Sequence, residues 1–189
     1  MNDKRSSNVV TQKSHLNYIE TAFLQLSFSI KLWNYINTNQ IDKNSFDIDL
    51  TISDNYNCIV LPDNQFLTYS DLILASENNI SICFGVAAIT LWEAIRDKNG
   101  LIAKNLNPIA DKEQNLASLS YMIRCCFAHG TALPIWSIYN EKYKVKYTIG
   151  KKIIDLSTIT EKQLFSYSDI GGYETLWVLK HEAKMKGML

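Results

Sequence analysis

Two side chains able to carry positive charge close an apolar stretch, YMIRCCFAHG, at residues 121–130. Arg124 and His129 stand there with four residues between them. A guanidinium is charged at every physiological pH, and its planar fork of donors can clasp two phosphate oxygens at once. An imidazole exchanges its proton near neutrality, which suits general acid–base work. The pair therefore has the means to hold an anion and to move a proton beside it.

Whether the two can meet depends on the element that carries them. The pattern predicts a helix from about Asp111 to Ala128, with Leu119, Ile123, Cys126 and Phe127 on its core stripe. At 100° per residue, Arg124 and His129 flank that stripe on opposite sides, roughly 140° apart. Gly130 is a natural left-handed residue past the helix end, which would free the direction of His129. The helix C-terminus favours the imidazolium. A plainer reading stands beside this one, with Arg124 in a structural ion pair and His129 capping carbonyls.

The stretch IRCCFAHG ends a bundle helix and is followed by Pro134 and Trp136; it resembles the HEPN superfamily of helical domains. That family carries an R-x(4–6)-H motif near the end of its last core helix, matched here by Arg124 and His129. The earlier LWEAIRD, residues 91–97, is similar to the acidic helix of such proteins. The likeness covers roughly residues 14–130 and implies a helical bundle that dimerises, bringing the motif of each subunit to a shared cleft. It further implies a metal-independent endoribonuclease without cofactor, of the kind found among toxins and antiviral defence factors. RNA is then the substrate, and for a toxin the second partner is an antitoxin protein. The 2′-hydroxyl of RNA supplies the nucleophile, leaving His129 to move protons and Arg124 to stabilise the phosphate. The residue after the motif arginine, commonly polar in the family, is Cys125 here, a weak donor and poor acceptor. The alternative function is a catalytically silent HEPN-like module that binds RNA, a nucleotide or a protein.

The remaining pattern is mostly helical. Residues 1–13 are polar and aperiodic, a flexible tail before a single domain over 14–189. A first helix is expected from Ser14 to about Thr38, with Leu16, Ile19, Phe23, Leu26, Ile30 and Trp33 on one face. A second stripe, Leu24, Phe28, Leu32 and Tyr35, lies roughly opposite and points to a homodimer built on this helix. Alternation from Phe46 to Ile52 predicts a strand or extended arm, and Cys58–Leu61 a short strand. Thr68 and Asp71 have capping-box spacing for a helix to about Glu77, and a second helix is expected over Ser81–Asp97. Beyond Pro134 the period falls to two, giving a small β-hairpin at about 134–156 and then a last helix after Gly171-Gly172.

Several further residues bear on chemistry. Ile82, Val86, Ile89 and Glu93 recur at helical spacing, which places Glu93 on an apolar stripe. A buried carboxylate needs a partner, and Arg124 is the best available one, so a Glu93–Arg124 contact is expected to aim the guanidinium. Lys142, Lys144 and Lys146 alternate with Tyr143, Val145 and Tyr147, presenting three lysines that suit phosphate contacts with RNA or simply face solvent. His15 and His181 have no companions at metal-ligand spacing, and the four cysteines form no C-x-x-C pair, so no metal site is expected. Gly171-Gly172 lacks the rest of a phosphate-binding loop.

Bulk properties narrow the class. The 189 residues carry no formal net charge, and 47% are hydrophobic, as in an ordinary globular domain. Residues 14–97 hold ten acidic against three basic side chains, whereas residues 98–189 hold thirteen basic against eight acidic. An anionic partner is thus expected at the C-terminal half. With no apolar leader segment or long uncharged apolar window, the expectation is a reduced, cytoplasmic protein that does not enter a membrane.

Overall fold

The computed structural model of the chain describes residues 10–53, 58–128 and 130–189. Most of the expected tail and His129 lie outside the described residues. Helix α1 spans Val10–Asn37 and α3 spans Tyr69–Asn99, and the two pack lengthwise as the largest contact in the molecule. Between them lie a one-turn helix α2 (Lys43–Phe46) and an antiparallel pair, β1 (Leu50–Ser53) with β2 (Cys58–Leu61). Helix α4 (Lys112–Phe127) lies on α3, followed by the hairpin β3 (Lys146–Ile149) with β4 (Lys152–Asp155) and the closing helix α5 (Thr175–Met185). The fold is mostly helical, with two small strand pairs.

The long helices follow from their buried stripes. Ile19, Phe23 and Leu26 on α1 meet Phe84, Ala87, Leu91 and Ile95 on α3, all buried. Leu116, Leu119, Ile123 and Phe127 on α4 close the core from the other side. Burying one such side chain contributes roughly 1.5–3 kcal/mol relative to leaving it exposed.

The expected break between Glu77 and Ser81 is absent, because α3 is continuous through it. No glycine or proline stands there, Ile80 is buried, and the Asn79 side-chain amide donates to Ser29 Oγ on α1 at 2.8 Å. Tertiary packing carries the helix across residues of middling propensity. By length and composition α3 could cross a membrane, but here it is the core helix of the bundle.

The helix ends are set by local chemistry. Thr68 accepts from the Asp71 backbone N–H while the Asp71 carboxylate accepts from that of Thr68, completing the capping box. Gly100 stops α3 in the left-handed conformation. Asp111 caps α4 through the N–H groups of Glu113 and Gln114. The Tyr69 hydroxyl donates to the Ile36 carbonyl, tying the start of α3 to the end of α1.

The first hairpin stands away from this body. Leu50 pairs with Leu61 and Ile52 with Ile59 on one face, and all four side chains are exposed. The second hairpin is narrower than expected, since Lys142 and Lys144 fall in a 3-10 turn and its C-cap before β3. Its inward residues are as expected: Tyr143 and Tyr147 are buried.

Candidate functional site

The loop after α4 is the centre of the site, and its two ends are tied down. The Ile135 backbone N–H donates to the Cys126 carbonyl at 3.2 Å, so the chain leaves the helix and returns to it. On α3, Ser81 Oγ donates to the Thr131 carbonyl at 2.6 Å. Beyond Pro134 the backbone pairs with residues 162–165, through Phe165 N–H to the Pro134 carbonyl and Trp136 N–H to that of Gln163. The buried Trp136 indole donates to the Asp169 carboxylate at 2.8 Å. Six aromatic rings pack beneath, with Phe165 at 5.0 Å from Phe127 and 5.4 Å from Trp136. Residue 129 therefore belongs to a segment whose described flanks are fixed by hydrogen bonds to two helices.

Helix α4 ends at Phe127 with Ala128 still in right-handed helical conformation, and the turn follows. Its direction comes from the Ile135–Cys126 and Ser81–Thr131 bonds, which join residues distant in sequence.

Arg124 occupies the last turn of α4 and is half-buried. No carboxylate lies within 4 Å of its guanidinium among the described residues, and its Nε is buried without a hydrogen-bond partner. Its near neighbours are Tyr121 and Cys125. Burial pushes the Tyr121 hydroxyl up to about 12 and also raises the Cys125 thiol, against the opposing pull of Tyr121 and Arg124. Both groups therefore stay protonated at neutral pH, and the arginine is the one fixed charge in this cluster.

The expected Glu93–Arg124 ion pair is not formed. Glu93 is exposed and lines a groove between α1 and α3 with Tyr18, Gln25, Val86 and Asp97. The reason is that the stripe through Ile82, Val86 and Glu93 faces outward: Ile82 and Val86 are themselves exposed. The true core stripe of α3 runs through Ile80, Phe84, Leu91 and Ile95. Glu93 is drawn instead to its own helix, where it adds to the field on Arg96 beside that residue's 2.8 Å pair with Asp97.

The three lysines are already engaged. Lys142 Nζ donates to the carbonyls of Lys104 and Leu106 at 2.9 and 2.7 Å, pinning the 103–106 turn. Lys144 pairs with Glu141 at 2.8 Å and Lys146 with Asp155 at 3.5 Å. Lys146 keeps the most exposed head, at 70%.

Sequence reasoning missed a cleft of about 330 Å³ beside the site loop. Trp33, Phe165, Tyr167 and Tyr173 form its aromatic walls, with Glu77 and Asn78 at the rim. These residues come from α1, α3 and two later segments, so no spacing in the sequence signals them. Among the described residues, no three His, Cys, Asp or Glu side chains gather as metal ligands. Comparisons of this chain with protein-family models, with curated proteins and with solved structures found no match.

Proposed function

We propose that this chain is a HEPN-like endoribonuclease that cleaves RNA without a metal ion, with Arg124 holding the scissile phosphate and His129 transferring protons. The observation that carries this reading is the state of Arg124. A half-buried guanidinium loses hydration and ordinarily takes a carboxylate partner in return. Among the described residues, no carboxylate pairs with it and Nε is unsatisfied, which suits a cation reserved for an incoming anion. A phosphodiester offers two such oxygens in the fork's own geometry.

The chemistry balances without a further reactant. The 2′-oxygen attacks the adjacent phosphorus, the bond to the 5′-oxygen breaks, and the products are a 2′,3′-cyclic phosphate and a 5′-hydroxyl. One proton leaves the 2′-oxygen and one reaches the 5′-oxygen, so two transfer groups complete the site. The second is His129 of another copy, which is where the proposed homodimer enters. Its support is the outer face of α1, where Leu24, Phe28 and Tyr35 are 68%, 66% and 50% exposed. An exposed stripe of that size marks an interaction surface. Sedimentation at micromolar concentration is expected to give twice the 21.6 kDa chain mass, and Phe28→Glu is expected to shift it to one chain. A wild-type monomer would remove the shared site.

A silent RNA-, nucleotide- or protein-binding module is the second reading, favoured by Cys125, whose half-buried neutral thiol is a poor substitute for a polar motif residue. Induced expression separates the two. Wild type in the cytoplasm of a growing host is expected to arrest growth and fragment RNA, relieved by an antitoxin protein if the chain is a toxin, and His129→Ala to do neither. Identical RNA profiles from both would favour the silent module.

A further inference from the structure

The aromatic cleft beside the site loop has the makings of a recognition site that the Arg124 chemistry does not use. Tyr167 and Tyr173 stack with ring centroids 3.8 Å apart and planes 27° from parallel. Phe84 sits edge-on to both, at 5.1 and 6.4 Å, and holds the pair against the core. Trp33 on α1 and Phe165 form further walls, while Leu133 and Leu164 leave an exposed apolar rim. Among the described residues, the only carboxylate in the lining is Glu77, with the Asn78 amide next to it, and no lysine or arginine lines the cleft.

This chemistry selects its ligand by what it offers and what it withholds. Ring faces and an apolar rim take a flat, weakly hydrated group, and stacking on aromatic side chains is how unpaired bases are held. A carboxylate accepts and cannot donate, so the group must present N–H donors on its edge. The adjacent amide adds both a donor and an acceptor, which reads a mixed edge and not a bare cation. The lack of any cationic side chain means that phosphate is not recognised inside, so the sugar–phosphate stays outside while the ring enters. A volume of about 330 Å³ lies at the small end of ligand sites, which run from roughly 300 to 1,000 Å³.

We infer that the cleft between α1, α3 and the 164–173 segment binds a single unpaired nucleobase of an RNA strand, with guanine preferred because its N1–H and N2–H groups both face the Glu77 carboxylate. That the base belongs to an RNA strand rests on the proposed function, whereas the selectivity for the base rests on the cleft and survives if the chain proves unable to cleave RNA.

The test uses the full chain and short RNAs methylated at every 2′-oxygen, which cannot be cleaved by 2′-OH attack. Tryptophan fluorescence, with Trp33 in the cleft wall, reads titrations of a five-nucleotide strand bearing one central G and of the same strand bearing A. Guanosine, GTP and N-acetylarginine amide are titrated in parallel. The G strand is expected to bind more tightly than the A strand, and GTP no more tightly than guanosine. Tyr173→Ala is expected to weaken the G strand about 5- to 150-fold, with Tyr173→Phe retaining binding and the thermal melt reporting that each variant is folded. Glu77→Gln is expected to erase the preference for G over A. Equal binding of the two strands by wild type, tighter binding of GTP than guanosine, or tighter binding of the arginine amide would each overturn the inference. So would a folded Tyr173→Ala variant that binds as wild type does.

Discussion

One missing methyl group sets how closely α4 lies against α3. A Cβ built on Gly85 would stand 2.7 Å from the Phe127 ring and 3.1 Å from the Phe127 Cβ. Phe127 cannot retreat, since Phe84 and Phe165 hold its ring at 5.4 and 5.0 Å. An alanine here would gain about 1 kcal/mol of helix propensity, but overpacking a filled core typically costs about 1–3 kcal/mol. Gly85→Ala is therefore expected to destabilise by up to about 2 kcal/mol, read as a lower urea midpoint with unchanged slope. It would also displace the turn of α4 that carries Arg124, so any function resting on that guanidinium is expected to fall with it. At this scale the sequence was a mixed guide. The 3.6-residue period placed Arg124 correctly beside the core stripe, because that stripe is fixed by α4's own buried residues. The same reasoning failed for Glu93, whose apolar neighbours Ile82 and Val86 face outward. Periodicity reports that a stripe exists, not which of two stripes is buried.

Among the elements, α3 shows how caps and packing divide the work. Its start was legible because the Thr68–Asp71 box is purely local. The Asp71 carboxyl is held below the usual carboxylate range, first by the Thr68 backbone N–H and then by its hydroxyl. An unfolded aspartate titrates near 3.9. The cap's contribution is thus fully present above about pH 4 and is lost as pH falls through the lower folded value. Melting temperature is expected to drop as pH falls below about 4, and Asp71→Asn to flatten that part of the profile while lowering the value at pH 7. An unchanged acid limb in the variant would place the sensitivity on other depressed carboxyls, such as Asp155 or Glu174. The continuity of α3 through Glu77–Ile80 was not legible, because Ser29 on α1 supplies the reason. Alternation from Phe46 to Ile52 made β1 legible in part, though Phe46 falls in α2, and β2 was legible as a short apolar run. Neither pattern could say that the apolar face of the arm would stay exposed among the described residues. An isolated two-stranded hairpin is marginal in water, so this arm is the least self-sufficient element of the fold.

In the whole molecule, two long helices and α4 enclose a core, and the C-terminal segments wrap the end of α4 so that the loop following it is pinned at 126–135 and at Ser81. That wrapping joins residues far apart in sequence, which is why the aromatic cleft and the loop geometry had no signature in the linear pattern. The three lysines of residues 142–146 had a signature, but Lys142 is held by carbonyls of the 103–106 turn, and Lys144 and Lys146 pair with Glu141 and Asp155. Arg124 therefore carries the account: among these candidates it is the half-buried cation whose Nε finds no hydrogen-bond partner among the described residues. The most direct measurement is single-turnover cleavage of an end-labelled RNA by purified protein in EDTA, comparing wild type, Arg124→Lys and His129→Ala. Wild type is expected to leave 2′,3′-cyclic phosphate ends. His129→Ala is expected to be about 10²–10⁴-fold slower, and Arg124→Lys strongly slowed because an ammonium cannot reproduce the two-pronged contact. Full activity in a folded Arg124→Lys protein, or no cleavage by wild type of any RNA offered, would contradict the account.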